Sequence, residues 1–464
     1  MFSSISKGSI VVALGLIAAV VHSDGVRAAE SDARDSVVIV WAGTLIATPG
    51  HPPLQEQSLV IRNGVIERIV AGRLSAAQVT GSAAESVRTI DWSRMYVLPG
   101  LFDLHVHLTT EPSAAGALQD VTQTSADLAL LAADNAERAL RAGFTTVLDM
   151  GTGRRAHELA ISALKGAIAS GRASGPRILT VGSPISSPGN SRTSRFAPDI
   201  ERVIPAQGVC SGADDCRRAV REQVERGADV INFYNTGSLL SPGSPAQTFT
   251  DEEMRAIVET AHSLNRKAVA DGAGKRDSAA GINAAIRAGA DWVDTVIYPD
   301  TMTWTLLSKA RRPYAPHLYA VVAAVGDDEQ HIAEGSMGWL PPAVLNALLA
   351  LKRETPAAKA AHASGIRMVF ASDAGVFEHG RNAGEFLEYV KAGLTPSEAI
   401  ATASVNAAHV LGLSAESGTL EAGKRADLIA VVADPLQDVR ALQNVRGVIA
   451  YGRLVSEGGA RAAQ

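Results

Sequence analysis

A twelve-residue run, Val97-Leu-Pro-Gly-Leu-Phe-Asp-Leu-His-Val-His-Leu108, constrains this chain more than any other stretch. It is short and apolar and ends in two histidines one residue apart. In a strand, side chains alternate between faces, so His105 and His107 point the same way. Two neutral imidazoles at one strand end, projecting into a shared cavity, suit a divalent metal. The alternative is a pair of half-exposed strand histidines. Pro99-Gly100 and the apolar surroundings favour the metal.

The chain has 464 residues, enough for one large domain and a smaller one. An apolar fraction of 46% with 20% charged residues is that of a globular enzyme. Net charge is -5 and no basic block occurs, which argues against nucleic acid as a partner. Residues 1–28 read as a secretion signal: Lys7, then an apolar run from Ser9 to Val21, then small residues in Val26-Arg-Ala28. The run is short for a bilayer span, which takes roughly 20 apolar residues. A periplasmic or secreted protein follows, without a stable membrane anchor once the signal is removed. A retained anchor is the alternative. Cys210 and Cys216, with Gly212 between them, suit a small-loop disulfide in an oxidising compartment, and two free thiols are the alternative.

Alternating apolar and polar residues from Val37 to about Ile69, broken at Pro49-Gly50 and Asn63-Gly64, predict small antiparallel strands. Asp427–Val432 and Val445–Val455 read the same way. The two ends are expected to join into one small β-sandwich, over 36–98 and 415–460. Between them, over 99–414, helical patterns alternate with apolar strands. Thr250-Asp-Glu-Glu opens one helix with a capping-box pattern. Repeated βα units predict an α/β fold, a (β/α)8 TIM-like barrel, in which chemistry sits at the C-terminal strand ends. His105, His107, Asp149, Asn232, Tyr234, Asp271, Thr295 and Asp373 all lie at or just after such ends.

Pro-Gly-Leu-Phe-Asp-Leu-His-Val-His-Leu resembles the first metal-binding strand of the amidohydrolase superfamily. The resemblance continues through Ala142–Asp149, Gly227–Ile231, Ala371–Gly375 and Gly418–Ile429, and is strongest to the imidazolonepropionase-like and Xaa-Pro dipeptidase-like branch. It implies the barrel and the terminal sandwich. It also implies a metal site made of the His-X-His pair, a carbamylated lysine, two later histidines and an aspartate that takes a proton from the attacking water. His105, His107 and Asp373 match. The lysine position holds Asn232, and the two histidine positions hold Asp271 and Thr295. A substrate-facing histidine expected near Ser-Pro-Gly-Asn-Ser191 is missing.

Asparagine cannot be carbamylated, so the bridge between two metals is gone, and threonine is a poor ligand. Two imidazoles with one or two carboxylates, Asp373 and Asp271, can still hold one divalent cation, zinc being the first candidate, with a position open for water. Asp373 serves as ligand and general base, or else as an N-cap. Asp271 serves as ligand, or else as a loop cap beside Gly272. Asn232 suits a spacer or a substrate amide contact. Tyr234 suits a hydrogen-bond donor to substrate, or simply a strand aromatic. His379 matches a family loop histidine that faces substrate. His157, His262, His317, His331, His362 and His409 suit surface or core roles.

The expected function is metal-dependent hydrolysis of carbon–nitrogen bonds (amide, cyclic amide or dipeptide) in a small molecule. The alternative is a catalytically impaired binding protein that keeps the barrel but not the full metal site. A third reading, an acid–base pair of Asp271 and Asp294, has no motif behind it. A homo-oligomer is compatible with the sequence but not specified by it.

Overall fold

The structure is a computed structural model that describes residues 37–80, 86–190, 197–237, 245–272, 274, 278–326, 345, 348–349 and 356–457. The signal sequence expected over 1–28 lies outside these residues. Among the described residues no helix is long and apolar enough to cross a membrane.

The described chain opens with β1 (Val37–Leu45), β2 (Leu54–Arg62), β3 (Val65–Ala71) and β4 (Val87–Pro99). It continues through β5 (Leu101–Val106), β6 (Phe144–Asp149), β7 (Arg177–Thr180), β8 (Val230–Tyr234), β9 (Lys267–Asp271), β10 (Trp292–Asp294) and β11 (Tyr314–Ala315). It closes with β12 (Leu428–Val431), β13 (Val445–Ala450) and β14 (Arg453–Glu457).

The two chain ends do share one sheet, ordered β14-β13-β12-β4-β1-β2-β3. The seam is the antiparallel pairing of β12 with β4, from Leu428↔Pro99 to Val431↔Tyr96. One pairing departs from the antiparallel expectation: β1 and β4 run parallel. Val38, Val40, Leu59, Ile61, Trp92 and Leu428 pack together on this sheet. On β13, Gly447 leaves no room for a side chain, because a Cβ there would lie 2.3 Å from Trp92 Cζ2.

The central part is built of parallel strands in the orders β5-β6-β7 and β8-β9-β10-β11. Helices cross between successive strands. Ser125–Arg141 buries Leu128, Ala132, Ala136 and Leu140, one stripe of a 3.6-residue period. The Thr250–Glu253 capping box forms and starts the helix Asp251–Ser263. Such a cap contributes about 1 kcal/mol. Parallel bridges continue the sheets: Ile185 with Phe233, Tyr314 with Met368, and Val106 with Ala374. Residues 368–374 therefore meet β11 on one side and β5 on the other.

The interior follows from strand alternation. Phe102, Leu104, Leu148, Val181, Val230, Val269, Trp292, Ala315, Val369 and Ala371 form one buried cluster. Asn232, Asp271 and Asp294 stand two residues beyond Val230, Val269 and Trp292, on the same strand faces, and Asp373 follows two residues after Ala371. Polar chemistry is thus stacked on the C-terminal end of an apolar core. Cys210 and Cys216 are joined as a disulfide with Cα atoms 5.0 Å apart.

Candidate metal centre

At the end of β5, His105 Nε2 and His107 Nε2 lie 3.2 Å apart. Asp373 Oδ1 is 3.5 Å from the first and 3.4 Å from the second. A tetrahedral ion with bonds of about 2.0–2.2 Å holds its donors roughly 3.3–3.6 Å from one another. The three atoms therefore form a triangle of the size one ion requires.

The backbone sets this triangle. Asp373 N donates to the carbonyl of His105 (2.9 Å), and His107 N to that of Ala374 (2.8 Å). One oxygen of buried Asp103 accepts from His105 N (3.2 Å) and Ser372 N (3.0 Å), tying both ligand-bearing segments to one carboxylate. Gly375 passes so close to His107 that a Cβ would lie 2.9 Å from its Cβ.

Behind His105 stands Asp294, fully buried. Asp294 Oδ2 is 3.2 Å from His105 Nδ1. Asp294 Oδ1 is in close contact with His317 Nε2. The His105 and His317 rings meet edge to face, 4.4 Å between centroids. His317 Nδ1 is 3.3 Å from Thr295 Oγ1, which donates to Asp271 Oδ1 (3.0 Å). Asn232 Nδ2 lies 3.5 Å from Asp271 Oδ2. One run of polar contacts thus joins His105, Asp294, His317, Thr295, Asp271 and Asn232.

The local field favours positive charge. Burial opposes protonation of His105, yet Asp294 and Asp373 override it and push the imidazole up to about 10. Burial likewise opposes ionisation of Asp373, but His105 and His107 hold it down at about 2. Burial is outweighed at Asp294 too, where His317 and His105 keep the carboxyl well below the usual range. A cation bound here would take the place of the proton on His105, between carboxylates that already favour positive charge.

Three residues of the cluster adopt left-handed backbone without being glycine: Thr295 (φ 60°), His317 (φ 51°) and Asp373 (φ 60°). Such conformations cost of order 1–3 kcal/mol each and concentrate at functional sites.

The remaining expected site residues take other places. Asp271 does not join the metal triangle; neither group of mutually close donors among the described residues, His105–His107–Asp373 or His105–Asp294–His317, includes it. Its oxygens face Thr295 and Asn232 instead. His379 is buried and donates from Nε2 to the carbonyl of His107 (3.2 Å), so it buttresses the metal-binding loop. Burial pulls it down to about 4, which keeps it neutral. Tyr234 is half-buried at the end of β8, paired in register with Asp271. His317, expected in a surface or core role, is instead part of the site. Its sequence surroundings, Tyr314-Ala-Pro-His317, carry no ligand spacing. His262 keeps a structural role, 2.8 Å from Asp291.

Comparison with known proteins sets this arrangement in context. The model of the amidohydrolase family matches residues 96–455. The chain belongs to the amidohydrolase family. This amidohydrolase is similar to ochratoxinase from Aspergillus niger, 29% identical over 447 residues that span 89% of this chain and 84% of that one. Among solved structures it is similar to a Xaa-Pro dipeptidase with bound methionine in the active site, with a TM-score of 0.79 and 28% identity over 90% of this chain and all of that one. The crystal structure of A. niger ochratoxinase gives a TM-score of 0.75 and 26% identity over 91% of this chain and 96% of that one. The fold is accordingly TIM-barrel-like α/β.

Proposed function

We propose that this amidohydrolase hydrolyses a carbon–nitrogen bond of a small amide, cyclic amide or dipeptide, with one divalent cation held by His105, His107 and Asp373. The observation that carries the reading is the donor triangle at the end of β5, with sides of 3.2, 3.5 and 3.4 Å. Two imidazoles and a carboxylate suit zinc, with a position left open. Such a cation, when bound, lowers the pKa of water toward about 7. Asp373 takes the proton of the attacking water and returns it to the leaving nitrogen. Asp294 holds the far side of His105, and His379 and Asp103 hold the backbone beneath the ligands. Tyr234, at the end of β8, and Asn232, in its middle, face the substrate side of this reading. The similarity to a Xaa-Pro dipeptidase supports a C–N substrate.

The same reading takes β5–β11 and residues 368–374 as eight staves of one closed (β/α)8 barrel, supported by the bridges of this segment to both β11 and β5. It takes the chain as an exported protein, supported by Lys7, the Ser9–Val21 run and the Cys210–Cys216 bridge.

Zinc-loaded protein incubated with N-acyl-amino acids, Xaa-Pro dipeptides and cyclic amides, with amine release followed, tests the activity. Turnover that a chelator abolishes and zinc restores is expected. Metal-loaded protein that cleaves nothing in this panel counts against it. That outcome favours a second reading, a ligand-binding relative, for which the metal-free contacts of Asn232, Asp271 and Thr295 speak.

A further inference from the structure

We propose that Asp294 and His317 form a positioning pair that orients the metal ligand His105 and occupies the place a second cation would need, so that the site works with one metal. The inference rests on the metal reading above.

An imidazole ligand is aimed only when its other nitrogen is tied down. His105 Nδ1 is tied by Asp294, which leaves Nε2 facing His107 and Asp373. Asp294 is fully buried and gives one oxygen to each of two imidazoles. His317 thereby fixes the carboxylate from behind.

His317 is itself held firmly. It caps the helix Leu318–Val325 in a left-handed conformation. The next two backbone N–H groups, of Leu318 (2.8 Å) and Tyr319 (2.5 Å), donate to the buried carboxyl of Glu385. A strained backbone persists where its surroundings over-determine it. Glu385 supplies that constraint and leaves the His317 ring directed at Asp294.

The lysine and two histidine positions that would hold a second cation carry Asn232, Asp271 and Thr295. Two metals about 3.5–4 Å apart need anionic bridging against their repulsion. Asn232 and Thr295 do not ionise, and both are engaged with Asp271. The imidazole of His317, from a different strand end, lies in contact with Thr295 and Asp294 instead.

The test uses Co²⁺ as probe and needs no substrate. Metal-free full-length protein is titrated with Co²⁺, and stoichiometry, affinity and visible spectrum are read for wild type, Asp294→Asn, His317→Gln and the double variant. Thermal melting of each metal-free protein checks the fold, and Gln retains polarity and bulk at 317. Wild type should bind one equivalent. Each single variant should keep one equivalent, with affinity lowered about 10- to 100-fold and shifted visible bands. The double variant should be no weaker than Asp294→Asn, because His317 acts through Asp294.

Single variants with wild-type affinity and spectrum overturn the pair while leaving the metal reading intact. So does a wild type that binds two equivalents and falls to one in His317→Gln, which would make His317 a ligand. A wild type that binds no Co²⁺ overturns the metal reading and this inference with it.

Discussion

Asp294 Oδ2 lies 3.2 Å from His105 Nδ1, across the ring from the nitrogen that faces His107 and Asp373. The carboxylate thus decides which nitrogen of His105 is presented to the ligand triangle. It stands two residues beyond Trp292, so the alternation that buries the indole in the interior also delivers Asp294 to the site.

Removing His105 should remove the metal and the activity together. His105→Ala deletes one corner of the triangle and strands Asp294 without one of its two imidazoles. Elemental analysis after dialysis should find about one zinc per chain in wild type and a small residue in the variant. Two retained equivalents in wild type would contradict a one-metal site.

Asp373→Asn should separate chemistry from folding. The change keeps the shape and removes both the charge and the proton acceptor. Loss of a general base costs about 10²–10⁴-fold in rate, and weaker metal binding adds to that. Melting temperature should move little. An unchanged rate at saturating zinc would remove Asp373 from the role of base.

Asp291 should govern acid stability away from the site. Its buried carboxylate accepts from Ala268 N (2.8 Å), His262, Lys267 and Arg312. Burial opposes ionisation there, but Ala268 N, His262 and Lys267 lower its pKa below the ordinary 3.8. A depressed acid contributes stability that is present above the unfolded value, near pH 4, and is lost as pH falls through the folded one. Asp291→Asn should cost roughly 1–3 kcal/mol at neutral pH. It should also flatten the loss of stability below about pH 4. Melts from pH 3 to 7 check both, and an acid limb as steep as in wild type would refute it.

Gly447→Ala should loosen the sheet shared by the chain ends. The added Cβ meets Trp92 at 2.3 Å, and overpacking of this kind costs typically about 1–3 kcal/mol. Denaturant unfolding should show the loss, while zinc stoichiometry stays at the wild-type value. A variant as stable as wild type would mean that Trp92 moves aside freely.

What the sequence determined by itself is local. The apolar run before His105 and His107, the alternation that places Asn232, Asp271 and Asp373 at strand ends, and the Thr250–Glu253 cap each depend on neighbours a few residues away. The motifs from Val97 to Ile429 carried the family. That the two chain ends come together was legible as well, although the single sheet they form among the described residues, in place of the expected sandwich, and the parallel pairing of β1 with β4 were not. The tertiary structure alone decided which strand ends meet. His317 carries no motif, and it enters the site because β11 pairs beside β10 and Glu385 anchors the turn after it. Asp271 stands at the right strand end, yet its oxygens lie against Thr295 and Asn232 and outside the donor triangle. His379 lies in a matching loop, but packing turns its Nε2 to the carbonyl of His107. Spacing along the chain sets which face a side chain occupies, whereas its partner across the site depends on the relative placement of strands far apart in sequence, which only packing of the whole interior fixes.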